Sequence, residues 1–278
     1  MEKIKLSPFL NLEGIGAASG IIFHNKNLYI ISDNSGFLFE YALESNQLSK
    51  HVLIPCATVN IEKKNKPDFE AITLKGTELH IFGSASTTKR NKKIIFNLDN
   101  SISTEIDYTP IYAELKNIFS ISDEDLNIEG ALYIENSLLL FQRGNSINST
   151  NGIFNIRQSI KERNFDVSFH PITLPQIQHI ETTFTDAIEI DEKIYFLATA
   201  EDTLSTYHDG DILGTILGIM NSRTFEIEKH ILLSSNHKLE GITLFSKNKT
   251  ELTFLVCEDN DTEELNTTIY KLIVNTEH

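Results

Sequence analysis

Tryptophan is absent from the 278 residues, and cysteine and methionine occur twice each. Cys56 and Cys257 lie far apart with no metal-type spacing, so neither a disulfide framework nor a thiolate zinc site is suggested, and both read as core fillers. Basic residues are also scarce, 24 against 39 acids, for a formal charge of -15. That balance opposes nucleic-acid binding, which draws most of its affinity from phosphate neutralisation, and basic-aromatic interleaving is missing as well. It suits cations or cationic partners, though an acid excess also serves solubility. No apolar run approaches the roughly 18–20 residues needed to span a bilayer, so no membrane association is expected. The opening "MEKIKLSPFLNLEG" holds neither a signal-type apolar segment nor a small-residue cleavage site. The expected compartment is the cytoplasm and the expected state a monomer. No glycine-rich phosphate loop, nucleophile elbow or zinc-protease helix is present.

What the chain does contain is a repeat. The segments "ASGIIFHNKNLYIISDNSGFLFEYAL", "FEAITLKGTELHIFGSAS", "IEGALYIENSLLLFQRGNS", "TDAIEIDEKIYFLATAED" and "LEGITLFSKNKTELTFLVCEDND" share one grammar. A polar and a small residue open an apolar strand, a turn of Asn, Lys, Gly, Asp or Glu follows, and a second strand ends in a polar cluster. The register residues are Ser19, Glu70, Glu129, Asp186 and Glu240, spaced by 51, 59, 57 and 54. A period of this size with several strands per unit signals a radial β-repeat. Third strands follow at 36–43, 92–98, 152–158, 215–221 and 268–274, and fourth strands at 51–57, 103–109, 165–172 and 225–233. All are rich in β-branched and aromatic residues. The fifth unit lacks a fourth strand, which "KIKLSPFL" at 3–10 can supply, closing the ring and removing its open edge. The reading is an all-β, five-bladed β-propeller of four-stranded blades, one domain over 1–278, with a helical excursion at 112–126 between blades two and three.

In a propeller the first strand of each blade lines the central axis, so the five register residues converge. Four carboxylates facing one channel must bind a cation, take up protons or reach water. Calcium accepts about 6–8 oxygen ligands at flexible geometry, and the missing Cys or His cluster argues against zinc or copper. The metal set is therefore Ser19, Glu70, Glu129, Asp186 and Glu240. Because a hairpin returns the chain to the face where it began, that face also carries Asp33, Asn34, Ser84, Asn145, Glu201, Asp202, Glu258, Asp259 and Asp261. Arg143 ends the second strand of blade three, and Lys89 and Arg90 follow the equivalent strand of blade two. Arg143 is the candidate catalytic residue; Asp33, Lys89, Arg90, Asn145, Glu201 and Asp259 are candidate ligand contacts. Against these stand simpler roles: a strand-start carboxylate can accept backbone N–H groups, and Asp or Asn in a turn can bond its own backbone.

The strand openings "ASGI", "FEAI", "IEGA" and "LEGI", each followed by an "LYIIS"-like strand, resemble the phytase-like and esterase-like propellers and bacterial propellers of unknown function. The order Ser, Glu, Glu, Asp, Glu is also similar to the calcium-activated nucleotidases, five-bladed propellers with a central calcium. That resemblance implies calcium on the five ring residues. It also implies a metal-dependent phosphoester hydrolase, with Arg143 and Lys89 or Arg90 holding a small anionic substrate. The base-stacking aromatics of the nucleotidases have no match here. The alternative is a non-catalytic propeller whose ion is structural and whose acidic face binds a small ligand or a protein.

Overall fold

A computed structural model describes residues 4–146, 150–158, 165–202, 210–259 and 264–275. A long strand β1 (Ile4–Glu13) precedes blade one, formed by β2 (Ala18–His24), β3 (Asn27–Ser32), β4 (Phe37–Ala42) and β5 (Gln47–Val52). Blade two is β6 (Phe69–Lys75), β7 (Glu78–Gly83), β8 (Lys92–Asn97) and β9 (Ile102–Asp107). After helix α1 (Thr109–Phe119) comes blade three: β10 (Ile128–Ile134), β11 (Ser137–Gln142), β12 (Gly152–Gln158) and β13 (Phe165–Pro171). A small hairpin, β14 (Gln176–Ile177) and β15 (Ile180–Glu181), leads to blade four: β16 (Thr183–Ile190), β17 (Lys193–Asp202), β18 (Asp211–Asn221) and β19 (Ile227–Ser234). Blade five is β20 (Leu239–Lys247), β21 (Glu251–Glu258), β22 (Asn266–Asn275) and then β1, which pairs antiparallel with β22 from Ile4↔Val274 to Glu13↔Asn266. The chain thus closes a five-bladed ring with its own first strand, as the repeat predicts. No helix among the described residues is long and apolar enough to cross a membrane.

The first strands of adjacent blades touch in the cyclic order β2, β6, β10, β16, β20 and back to β2, so they line the axis. Sandwiched on both sides, β2, β6, β10, β16 and β20 are buried over most of their length, whereas the outer β5 and β9 are largely exposed. The core is accordingly a set of layers between blades: Ile31, Phe69 and Phe96 between one and two, Phe82 and Phe154 between two and three, and Phe141, Phe184 and Phe196 between three and four. Tyr195 and Phe254 fill the next layer, and Ile21, Phe39 and Ile269 the closing one. Two inner hairpins turn through paired left-handed residues, Asn25 with Lys26 and Asp191 with Glu192, the geometry that matches strand twist in two-residue loops.

Several boundaries differ from the sequence reading. The helix starts earlier, at Thr109, because Pro110 suits a first turn, and it stops at Phe119, where Ser120 adopts a left-handed conformation (φ 55°) and donates its N–H to Lys116 O. The remainder of the proposed 112–126 helix is loop, held by Ser122 Oγ donating to Asp125. The outer strand of blade one spans Gln47–Val52 rather than 51–57: it starts four residues earlier and stops before Pro55, which lacks a ladder donor, and Cys56, which is left-handed (φ 58°). Strand β18 begins at Asp211, four residues before the expected start, because β17 continues to Asp202 and pairs with it.

A candidate cation site at the channel mouth

Each axial strand carries one unpaired residue near its start. Pairing with the second strand skips between Ala18 and Gly20, Phe69 and Ala71, Ile128 and Gly130, Phe184 and Asp186, and Leu239 and Gly241. The bulged residues are Ser19, Glu70, Glu129, Thr185 and Glu240. A bulge leaves its extra residue outside the ladder and re-aims its side chain. In blade four the ring position therefore belongs to Thr185, and Asp186 takes the place that Gly20, Ala71, Gly130 and Gly241 hold elsewhere. The spacings become 51, 59, 56 and 55, more even than those read from the sequence.

The two hydroxyls bridge blades: Ser19 Oγ donates to Phe69 O, and Thr185 Oγ1 donates to Leu239 O at 2.8 Å. In both cases the acceptor is the carbonyl preceding the next blade's ring residue. The three carboxylates gather instead. One oxygen each from Glu70, Glu129 and Glu240 lies within 4.8 Å of the others. Asp186 stands apart, with Oδ2 accepting the Ile242 N–H at 2.9 Å and Oδ1 without a partner among the described residues.

Around this trio the second-strand ends and the loops deliver charge of both signs. Arg143, 7% exposed, directs Nη1 to Glu129 Oε1 (3.2 Å), Nη2 to Glu201 Oε1 (2.7 Å) and Nε to Thr183 Oγ1 (3.1 Å). Asn127 Nδ2 donates to the same Glu129 oxygen at 2.8 Å. Lys238 pairs with Glu240 (3.1 Å), Asp259 (3.3 Å) and Glu201 (3.5 Å). On the opposite side Lys66 pairs with Asp33 and with Asp68 Oδ1 (2.8 Å), while Arg90 Nη1 and Ser84 Oγ donate to Asp68 Oδ2.

The connected network joins seven carboxylates, Asp33, Asp68, Glu70, Glu129, Glu201, Glu240 and Asp259, with four cations, Lys66, Arg90, Arg143 and Lys238. Three negative charges are left over when all are ionised. The excess falls on the trio. Burial, reinforced by Asp68, Glu129 and Asp33, pushes Glu70 well above the carboxylate range, Lys66 opposing. Burial also raises Glu129 despite Arg143 and Lys238, and pushes Glu240 up to about 7 although Lys238 opposes it. Glu201 and Asp68 behave differently: the charges of Arg143 and Lys238 outweigh burial and hold Glu201 at about 2, and Lys66 and Arg90 outweigh it to hold Asp68 low, whereas burial raises Asp33 despite Lys66. Burial thus biases the trio toward taking up protons or a cation.

The trio also offers free acceptor capacity. Glu70 is half-buried and makes no side-chain hydrogen bond with the described residues, and Glu240, 3% exposed, has no hydrogen-bond partner for Oε2. Oxygens bound to one calcium at 2.3–2.6 Å lie at most about 5 Å apart, which the 4.8 Å grouping satisfies. The residues fit a hard divalent ion.

The other sequence candidates divide. Asp33, Arg90, Glu201 and Asp259 join the charged network. Lys89 does not: it is exposed and donates to Asn65 Oδ1 (2.9 Å) and Lys64 O. Asn145 is half-buried, its Oδ1 without a partner among the described residues, Asn34 accepts from Ser32 Oγ, and Asp202 is exposed. Glu258 accepts the Tyr270 hydroxyl at 2.7 Å, and Asp261 lies outside the described residues. Lys66, Asp68, Asn127, Thr183, Thr185 and Lys238 went unrecognised. Thr185 alone carried a usable signal, since it makes the repeat spacing more even.

A family model spans residues 14–274, nearly the whole ring. The chain belongs to the family of unknown function DUF6929. This DUF6929 chain is similar in fold to glutaminyl cyclase of Myxococcus xanthus (TM-score 0.58, 11% identity, 98% of this chain and 97% of that one). It is also similar to the major allergen Mala s 1 of Malassezia sympodialis (0.57, 9%, 95% and 94%) and to a luciferin-regenerating enzyme (0.51, 8%, 97% and 95%). At these identities the likeness is one of fold. No curated protein matches the chain.

Proposed function

We propose that the channel mouth binds one divalent cation, calcium, through Glu70, Glu129 and Glu240, and that this propeller uses it to hold a small anionic ligand. The observation that supports this reading is the convergence of three carboxylates within 4.8 Å, with Glu240 Oε2 lacking a hydrogen-bond partner among the described residues. A divalent ion would offset the crowding of like charge among them, and oxygen donors without Cys or His suit calcium better than zinc. Glu70 is the member with solvent access, so an ion there would be reached, and would meet a ligand, from the Glu70 side.

Binding rather than hydrolysis is the use that the surrounding cations support. A phosphoryl-transfer site needs cationic groups free to neutralise the transferred oxygens. Here Arg143 spends its Nε, Nη1 and Nη2 on Thr183, Glu129 and Glu201, and Arg90, Lys66 and Lys238 are paired with carboxylates. Arg143 thus reads as the clamp that shapes Glu129.

The test combines melting and turnover. Chelation is expected to lower the melting temperature and calcium to restore it, the ion adding about 2.7 kcal/mol of stability when it stands at 100 times its Kd. Glu129→Gln should blunt that response. An unchanged melting curve in chelator and in calcium would remove the cation site. Turnover of phosphoester, nucleotide or lactone substrates that disappears in Arg143→Ala would replace the binding reading with the hydrolase.

A further inference from the structure

Beside the trio stands a second group of the same kind: oxygens of Asp33, Asp68 and Glu70 also lie within 4.8 Å of one another. The two groups share Glu70. Two cation positions bridged by one carboxylate are the plan of two-metal hydrolytic centres, whose ions sit about 3.5–4 Å apart. Here one position is already filled from within the chain. The Lys66 ammonium, its side chain 13% exposed, pairs with Asp33 and with Asp68 Oδ1 at 2.8 Å. It arrives on the loop joining blades one and two, where Asp68 N–H bonds Asp33 O and ties that loop to the end of β3. Asp33 Oδ1 is buried and has no hydrogen-bond partner among the described residues.

We propose that Lys66 is a resident cation: it takes the place of a second metal between Asp33, Asp68 and Glu70 and restricts the channel to a single divalent ion. This rests on the cation reading of the trio. The reason is electrostatic. An ammonium tethered to the chain is present at the group in every folded molecule whatever the metal concentration, and two like charges cannot share so small a space without strong repulsion. The inference also accounts for a site with the acid count of a binuclear centre and the cation pairing of a binding protein. Lys66 is a positioning residue in this scheme, since it meets neither the trio's ion nor a ligand directly.

The experiment counts ions per chain, by calcium titration calorimetry and by metal analysis after desalting, in the wild type, Lys66→Met and Asp33→Asn proteins. The expected counts are one for the wild type and two for Lys66→Met, because methionine keeps the length of the side chain and removes its charge. Asp33→Asn in the wild-type background should leave one, since Lys66 and not a metal uses that carboxylate. An unchanged count in a Lys66→Met protein with wild-type circular dichroism and cooperative melting would overturn the inference, as would loss of the ion in Asp33→Asn. If Lys66→Met does not fold, Lys66→Gln is counted instead, with the same two results deciding. No ion on the wild type but one on Lys66→Met would remove the reading of the trio and leave the role of Lys66 standing.

Discussion

Replacing Arg143 by methionine tests the central electrostatic claim, because the apolar chain fills much of the same volume while the charge and its bonds to Glu129, Glu201 and Thr183 are removed. Two carboxylates then lose their partner in a buried site, Glu129 and Glu201. Glu129 can respond by keeping a proton, since burial already raises it. Glu201 cannot do so at neutral pH without cost. Its fall from the ordinary 4.5 to about 2 represents about 3 kcal/mol of stabilisation of the ionised form, to which Arg143 contributes more than Lys238. Removing one member of a buried pair typically costs about 3–5 kcal/mol; with Lys238 still 3.5 Å from Glu201, the lower end applies. For a chain of this size about 3 kcal/mol shifts the melting temperature by about 6 °C. Because the folded pKa of Glu201 lies below the unfolded value, its stabilisation is present above about pH 4.5 and is lost as pH falls toward 2. The gap between wild type and variant should therefore be widest at pH 7 and shrink toward pH 3, followed by circular dichroism melting in a series of buffers. Arg143→Met/Glu201→Gln should recover most of the loss. A variant melting within about 2 °C of the wild type at pH 7, or a gap that does not change with pH, would refute the clamp.

Other consequences are as direct. Burial raises Asp186 well above the carboxylate range, so the folded protein holds a proton that the unfolded chain releases above about pH 4. Stability is drained as pH climbs from there, and Asp186→Asn, which keeps an acceptor for the Ile242 N–H, should melt higher than the wild type at pH 7 and equal to it near pH 3. Gly241→Ala should destabilise by about 1–3 kcal/mol in denaturant titration, because the new Cβ would stand 2.8 Å from Gly20 Cα and Ile21 N, where blade five meets blade one. Deleting residues 1–13 strips β22 of its partner and bares a sheet edge. Loss of cooperative melting and concentration-dependent association in light scattering are the expected results.

Much of the architecture could be read from residue order. The alternation of apolar strands with Asn, Lys, Gly and Asp turns recurs five times, and the missing fourth strand of the last unit pointed to 3–10 as its replacement. Errors arose where one backbone conformation outweighs composition. The left-handed Ser120 cuts the helix short, and the left-handed Cys56 beside Pro55 ends the outer strand of blade one. Glu70, Glu129 and Glu240 were legible as ring members because each opens its strand in the same phrase.

By itself the sequence determined the five-fold repeat, the closure of the ring and the carboxylates that meet on its axis, because these follow from periodic local patterns. Only the tertiary structure decided which residues share a site. A bulge is settled by pairing across a hairpin, so Thr185 and not Asp186 faces its counterparts, although an acid seemed the natural choice. Lys66 and Lys238 reach the axis through loops whose course no periodicity records, and Arg90 turns inward while its neighbour Lys89 turns out because one short helical turn separates their directions. The carboxylates were written in the repeat, but the cations that balance them were placed by packing.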